Sequence, residues 1–236
     1  MNIGKAISKM LPENKLKESL RSLYYTFESY GIYPSLSWYI EHFLNNIYTR
    51  EYNLQKGDIA VDTGACFGMD TLFFSRKVGD IGKVISIEPN EDNLKYVKRN
   101  VRLHKLKNVI VIPKGLWSKR DKMKFYCHYA PEGHSLFDWR NNKEIKKVTE
   151  IEVDTLDNIL RELGIDKVAF IKRDSEGAEI EALKGMEETL RNNDVKLAIA
   201  SYHKINGQPT YKTIIPMMEK IGFKSYFENG ISYFEK

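Results

Sequence analysis

The run Asp58-Ile59-Ala60-Val61-Asp62-Thr63-Gly64-Ala65-Cys66-Phe67-Gly68, answered by Val84-Ile85-Ser86-Ile87-Glu88-Pro89-Asn90, constrains the fold more than any other part of the chain. Each apolar stretch has the length of a buried strand and ends in a carboxylate. Glycines follow the first strand, where the chain must bend sharply into a helix. Strand, glycine turn, helix, strand is a βαβ unit. A parallel crossover of this kind requires a sheet covered by helices.

The alternation continues from residue 57 onward. Strands are expected at Ile59–Thr63, Lys83–Glu88, Val109–Pro113, Lys167–Lys172 and Val195–Ala200. Helices are expected at Phe67–Val78, Glu91–His104, Asp154–Leu163, Gly177–Arg191 and Pro209–Ile221. Met69, Leu72 and Phe73 share one side of the first helix, and Leu94, Val97 and Val101 one side of the second. Lys122–Tyr129 and Lys147–Val153 read as an antiparallel excursion around a polar loop, Ala130–Glu144. Phe223–Phe227 and Ile231–Phe234 flank Asn229-Gly230, a strong hairpin signal. The expected fold is α/β: a mostly parallel sheet with helices on both faces and an antiparallel strand from the C-terminal hairpin. Residues 1–50 are expected to form a helical cap on a domain spanning 51–236. In the cap Leu16, Leu20, Leu23, Tyr24 and Phe27 share one helical face, and Leu36, Tyr39, Ile40 and Phe43 another.

Ligands of such sheets lie beyond the carboxyl ends of the strands. Here those ends are Asp62, Glu88, Lys114-Gly115-Leu116-Trp117, Asp174-Ser175-Glu176-Gly177 and Tyr202-His203. A dinucleotide would bring a pyrophosphate to the first turn, where Asp62 repels it. The spacing Gly64-x-x-x-Gly68 is also not the G-x-G-x-x-G of dinucleotide sites. S-adenosylmethionine brings a sulfonium and an ammonium and no phosphate. A carboxylate about 4 Å from such a cation is favoured by roughly 1–4 kcal/mol, depending on exposure. The expected cofactor is therefore S-adenosylmethionine.

Composition narrows the class further. The 236 residues are 42% hydrophobic and 29% charged, enough for a full core and too apolar for disorder. A net charge of +5, spread along the chain, permits nucleic acid or anionic membrane as a partner without implying either. Cys66 and Cys127 form no metal-ligand spacing and read as free thiols in a reducing, cytoplasmic setting. The first fifteen residues lack the apolar core of a signal peptide, and no window approaches a membrane span. The stripe Ile3, Ile7, Met10 and Leu11 is expected to pack on the domain, with weak peripheral membrane contact as its alternative.

At this point the residues resemble a known family. VDTGACFGMDTLFF, KVISIEPNEDNLKYVKRNV, VTEIEVDTLDNIL and above all FIKRDSEGAEIEALKG resemble class I S-adenosylmethionine-dependent methyltransferases of the FkbM type, over roughly residues 57–205. The resemblance implies a seven-stranded Rossmann-like fold and methyl transfer, mostly to oxygen, on sugar, glycolipid or polyketide-like acceptors. Two positions depart from it. Arg173 stands where an apolar strand residue is usual, and Ser201 replaces the acid of a Glu-x-His strand end.

Site roles follow from position. Asp62, Gly64, Ala65 and Gly68 are expected around the methionine half of the cofactor, and Glu88 on the ribose hydroxyls. Pro89 and Asn90 are expected to border the adenine, with Gly115, Leu116 and Trp117 along its pocket. Trp117 either stacks there or sits in the core. Ser118 or backbone is left to grip the adenine amino group. Asp174 and Glu176 are expected beside the methyl group, while Glu179 belongs either to the site or to a helix start. For transfer to a hydroxyl, Asp174 or a neutral His203 supplies the base; His203 can equally be structural. His134 and Ser135 are candidates for acceptor binding, and Tyr202, Lys172 and Arg173 for orienting the acceptor. Arg173 would pair with an anionic substrate group or neutralise Glu176. Asp174, Glu176 and His203 offer metal donors, but nothing in their spacing demands an ion, and no metal is expected. The expected acceptor is a small molecule or a glycan- or lipid-linked one, and a homodimer is compatible with the chain. Nucleic acid is disfavoured, since no Asn-Pro-Pro-aromatic motif and no basic run interleaved with aromatics is present. An RNA-directed methyltransferase and a non-catalytic cofactor-binding module are the competing readings.

Overall fold

The computed structural model describes residues 47–129, 133–138 and 145–236. The chain divides into two units, Met1–Arg50 and Glu51–Lys236, and the fold below is that of the second. The helices expected within residues 1–50 and the apolar stripe among them lie outside the described residues, as does most of the loop expected at 130–144.

In chain order the strands are β1 (Ile59–Thr63), β2 (Lys83–Ile87), β3 (Val109–Ile112), β4 (Gly115–Leu116), β5 (Asp121–His128) and β6 (Ile145–Asp154). They continue with β7 (Phe170–Arg173), β8 (Lys196–Ala200), β9 (Lys204–Ile205), β10 (Gln208–Pro209), β11 (Lys224–Glu228) and β12 (Ile231–Glu235). The helices are α1 (Met69–Val78), α2 (Glu91–Leu103), α3 (Leu156–Glu162), α4 (Glu179–Lys184), α5 (Glu187–Asn192) and α6 (Tyr211–Glu219).

The main sheet has seven strands in the order β11-β12-β8-β7-β1-β2-β3. β12 lies antiparallel between β8 and β11, and the five strands from β8 to β3 are parallel. The chain runs outward from β1 to β3 and later returns to lay β7 on the other side of β1. The carboxyl ends of β1 and β7 therefore flank the point where strand order reverses, the place where such sheets open a crevice.

Side-chain alternation assigns the two faces. Val61, Ile85, Ile171, Leu197 and Ile199 point to one face and pack with Leu156 and Ile159 of α3, Leu183 of α4, Leu190 of α5 and Ile214 and Met218 of α6. Each such side chain contributes roughly 1.5–3 kcal/mol when fully buried. The opposite face carries Phe170, whose ring meets Phe74 of α1 edge-on at 5.5 Å. It also carries a polar row in register across three strands, Ser86, Asp62 and Lys172.

The expected helix over Gly177–Arg191 is two helices, α4 and α5. A Cβ on Gly185 would lie 2.0 Å from the Trp117 carbonyl oxygen, so the chain breaks where another backbone crosses it. Asp157 then serves the new helix start, accepting from the backbone N–H groups of Glu188 and Thr189, each at 2.9 Å. The first helix begins at Met69 rather than Phe67, because Gly68 holds a left-handed φ of 82° before it. The antiparallel excursion is present as β5 and β6, extended by the short parallel β4. The hairpin of β9 and β10 was not anticipated. Its turn, Asn206-Gly207, has positive φ at both residues, as does Asn229-Gly230, so the same dipeptide signal was available for it.

Candidate active site

The carboxyl ends of β1, β2 and β7 and the start of β4 surround an open cavity. Gly64, Glu88, Pro89, Gly115, Leu116 and Asp174 contribute to its lining, as do Lys114, Phe125, His134, Arg173 and Glu176.

Gly64 has φ +68°, and a Cβ built on it would lie 1.7 Å from the Asp174 carbonyl oxygen, so glycine alone fits. The amides of this bend are used within the chain. Gly64 and Ala65 donate to the Ile87 carbonyl, Gly68 donates to that of Ala65, and Cys66 donates to Glu88 Oε2 at 2.8 Å. Those four N–H groups are thus not an open cradle for a phosphate.

Glu88 is buried at the tip of β2. Its other oxygen accepts from the Asn90 amide at 2.9 Å. Burial pushes its carboxyl up to about 7, against the opposing effect of the Asn90 and Cys66 amides. With the two backbone donors and the Asn93 side chain on its oxygens, the carboxylate still keeps lone-pair capacity toward the cavity that it lines.

Asp62 lies elsewhere than the sequence indicated. It points to the helix-covered face, takes a hydrogen bond from Thr71 Oγ1 at 2.5 Å and pairs with Lys172 Nζ at 3.2 Å. It does not line the cavity. Lys172 also reaches Asp70 at 3.4 Å and the Gly64 carbonyl at 3.1 Å. Burial alone would lower the pKa of this ammonium, but Asp62, Asp70 and Asp174 hold it charged. The negative charge at the first strand tip is therefore balanced by a lysine one strand away.

Several other expected residues are structural. Ala65 is buried outside the lining, and Gly68 packs its α-carbon region on Val97. Asn90 caps α2, accepting from the Asp92 and Asn93 amides. Trp117 does not stack in the pocket. Its amide bonds the Asp154 carbonyl and its ring sits 5.9 Å from that of Phe137. The Ser118 hydroxyl donates to Glu181 at 2.7 Å and does not line the cavity. Ser135 is buried and ties two loops together, donating to the Glu176 carbonyl and accepting from the Phe137 amide. Lys114, named from sequence only as a strand end, lines the cavity and is held by Asp154 at 2.8 Å; sequence reasoning missed Phe125, an apolar wall, for which the alternating pattern of β5 was the available signal.

The turn after β7 gathers the acids. Glu176 adopts φ +48°, uncommon for a non-glycine residue. His203, from the end of β8, faces this turn. Its Nε2 lies 3.5 Å from Glu176 Oε1 and 3.9 Å from Asp174 Oδ1, and its Nδ1 lies 3.0 Å from Glu179 Oε1. Burial by itself would lower the pKa of the imidazole. Contacts with Glu176 and Glu179 and the charge of Asp174 outweigh that and push it up to about 10. The acids thus favour the protonated ring over the neutral base that the sequence suggested. Tyr202 is half-exposed and stacks outside His203, its ring 4.2 Å away, without lining the cavity.

Arg173 is fully buried. It donates to the Thr63 hydroxyl and to the Ala178 carbonyl. Burial lowers its pKa to about 10, and the acids that oppose this are Glu179 and Asp174, not Glu176. His134 accepts from the His128 amide through Nδ1 at 3.1 Å. Burial and His128 lower it to about 4, so it presents a neutral ring to the cavity.

Comparison with known proteins bears on the family and the fold. A family model for the methyltransferase FkbM domain matches residues 62–225. Methyltransferase sdnD of Sordaria araneosa is 26% identical over 164 residues, covering 58% of this chain and 63% of the relative. The crystal structure of methyltransferase FkbM from Methylobacillus flagellatus superposes with a TM-score of 0.58 at 18% identity, covering 98% of this chain and 57% of that one. In both cases the chain spans less than two thirds of the relative's length. Aeropyrum pernix fibrillarin, solved with natively bound S-adenosyl-L-methionine, shares the fold with a TM-score of 0.50 at 12% identity, over 77% of this chain and 67% of fibrillarin. Among the described residues, no helix is long and apolar enough to cross a membrane.

Proposed function

The chain belongs to the FkbM methyltransferase family, and from that premise we propose that it transfers the methyl group of S-adenosylmethionine to a hydroxyl oxygen of a small-molecule, sugar or lipid-linked acceptor. One observation carries the choice of donor. The first bend spends its amides internally, while a buried carboxylate, Glu88, opens onto the cavity beside it. That suits a nucleoside with free ribose hydroxyls and no phosphate.

In this reading Glu88 holds the ribose, Pro89, Leu116 and Phe125 supply apolar walls for the base, and Gly64 lets the chain approach closely. The donor supplies an already activated methyl carbon. The protein must bring the acceptor oxygen into line with it and accept the hydroxyl proton. Asp174 lines the cavity and can take that proton. His203 faces the acids and helps to hold Asp174 and Glu176 in place. Residues 51–236 would form the methyltransferase domain and residues 1–50 a helical cap.

The test is calorimetry with S-adenosylhomocysteine, followed by label transfer from methyl-labelled donor to hydroxyl-bearing acceptors. Micromolar binding and base-stable label in the acceptor are expected. A folded protein that ignores S-adenosylhomocysteine would end the proposal.

A further inference from the structure

Three carboxylates converge on the His203 imidazole, and the spacing on its Nε2 side is informative. Nε2 lies 3.5 Å from Glu176 Oε1 and 3.9 Å from Asp174 Oδ1, at and beyond the outer limit of a hydrogen bond, and neither contact has good hydrogen-bond geometry. The ring is 5% exposed, so this is a buried nitrogen aimed at two oxygens with a gap between them. One donor atom from each of Asp174, Glu176 and His203 falls within 4.8 Å of the others. Two ligands held about 2.2 Å from one ion and about 90–125° apart are separated by roughly 3.1–3.9 Å. The two separations from Nε2 are those of neighbours in one coordination sphere.

The other side of the ring adds a separate observation. Nδ1 lies 3.0 Å from Oε1 of Glu179, a carboxylate with no solvent exposure, which itself accepts from the Gly177 amide. A buried carboxylate behind an imidazole fixes its orientation and makes the opposite nitrogen a better donor, as behind metal-bound histidines.

We propose that Asp174, Glu176 and His203 bind one divalent cation at the wall of the cavity, the ion taking the place of the Nε2 proton that the acids otherwise hold there, with Glu179 orienting the imidazole from behind. Two hard oxygens and one imidazole suit Mn²⁺, Zn²⁺ or Mg²⁺ rather than a thiophilic ion. Asp174 and Glu176 are partly exposed and face the cavity, which leaves further coordination positions for water or an acceptor oxygen. The three donors were visible in the sequence, but their spacing could not demand an ion because His203 is separated from the acids by a helix pair and a strand. Only the return of β8 beside β7 brings the three together. The ion's role rests on the proposed methyl transfer, although the site does not: a cation there would hold the acceptor hydroxyl and lower its pKa.

The experiment titrates the metal-free full chain with MnCl2 and reads free Mn²⁺ by electron paramagnetic resonance. One Mn²⁺ per chain is expected. Glu176→Gln and His203→Asn should each weaken binding about tenfold or more, and Glu179→Gln about tenfold. Unfolding transitions confirm that each variant is folded; if His203→Asn is not, Glu176→Gln at its partly exposed turn decides alone. S-adenosylhomocysteine calorimetry runs in parallel. Mn²⁺ binding without S-adenosylhomocysteine binding leaves the metal site standing and removes methyl transfer, and the reverse result removes the metal site. No saturable binding at millimolar Mn²⁺, or binding that Glu176→Gln leaves unchanged, overturns the proposal.

Discussion

Gly64 and Asp174 are locked together: the Cβ that any other residue would place at position 64 falls 1.7 Å from the Asp174 carbonyl oxygen. The bend after β1 and the tip of β7 therefore form one rigid edge, and the cavity inherits its shape from that contact. Gly64→Ala must push the two strand ends apart and also adopt a positive φ. Overpacking and the left-handed backbone together should cost roughly 2–4 kcal/mol of stability, measured by urea denaturation. A variant within 0.5 kcal/mol of the parent, on the order of a neutral surface change, would show that the edge is soft.

Asp62 and Lys172 are adjacent in register, and both are buried. Lys172→Met should leave the Asp62 carboxylate without its cation and destabilise the fold by about 3–5 kcal/mol. Asp62→Asn should be similarly costly, because the ammonium then loses the nearest of its carboxylates. The double variant, neutral at both positions, is expected to cost clearly less than the sum of the two. Strict additivity in this cycle would mean that the pair is not coupled.

Glu88 should make stability fall as pH rises. Its carboxyl titrates at about 7 in the folded chain, against an ordinary value of 4.5. Between those values the folded state holds a proton that the unfolded state has released. The contribution is thus fully present below about pH 4.5 and lost by about pH 7, a change of roughly 3 kcal/mol. Urea denaturation across that range should show wild type losing stability relative to Glu88→Gln. Parallel profiles for the two proteins would rule the raised pKa out. In the proposed function, S-adenosylhomocysteine affinity should rise with pH through the same window, since the ionised carboxylate is the stronger acceptor for two hydroxyls.

The parts of this molecule that were legible in the sequence are local ones. The apolar runs ending in Asp62 and Glu88 and the glycines at 64 and 68 give β1, α1 and β2 without reference to the rest of the chain. Glu88, Gly115 and Asp174 then fall on the cavity because strand ends must. Side-chain direction was not legible. Asp62 turns to α1 because its strand alternates with Val61 facing the other helices, and its partner Lys172 is more than a hundred residues away in the chain. Trp117 follows a two-residue strand, too short for alternation to tell which way it points. Likewise the charge on His203 depends on three acids from the turn and helix after β7, which become its neighbours only when β7 and β8 pair. Lys172 and Arg173, two cations ending an apolar strand, were the visible sign that buried acids lay near.

Gly185 offers the last test, and it separates two opposing effects. An alanine there is the better helix former by about 1 kcal/mol and would favour the continuous helix that residues 177–191 suggest. The φ of −87° is one that alanine tolerates. Against this, its Cβ would lie 2.0 Å from the Trp117 carbonyl oxygen, which is fixed by backbone and not by a flexible side chain. The clash should win, with a net destabilisation of roughly 1–3 kcal/mol in urea. Displacing Trp117 also moves Leu116, which lines the cavity, so weaker S-adenosylhomocysteine binding should accompany the loss. A Gly185→Ala protein as stable as the parent would mean that the helix break arises from something other than this backbone crossing.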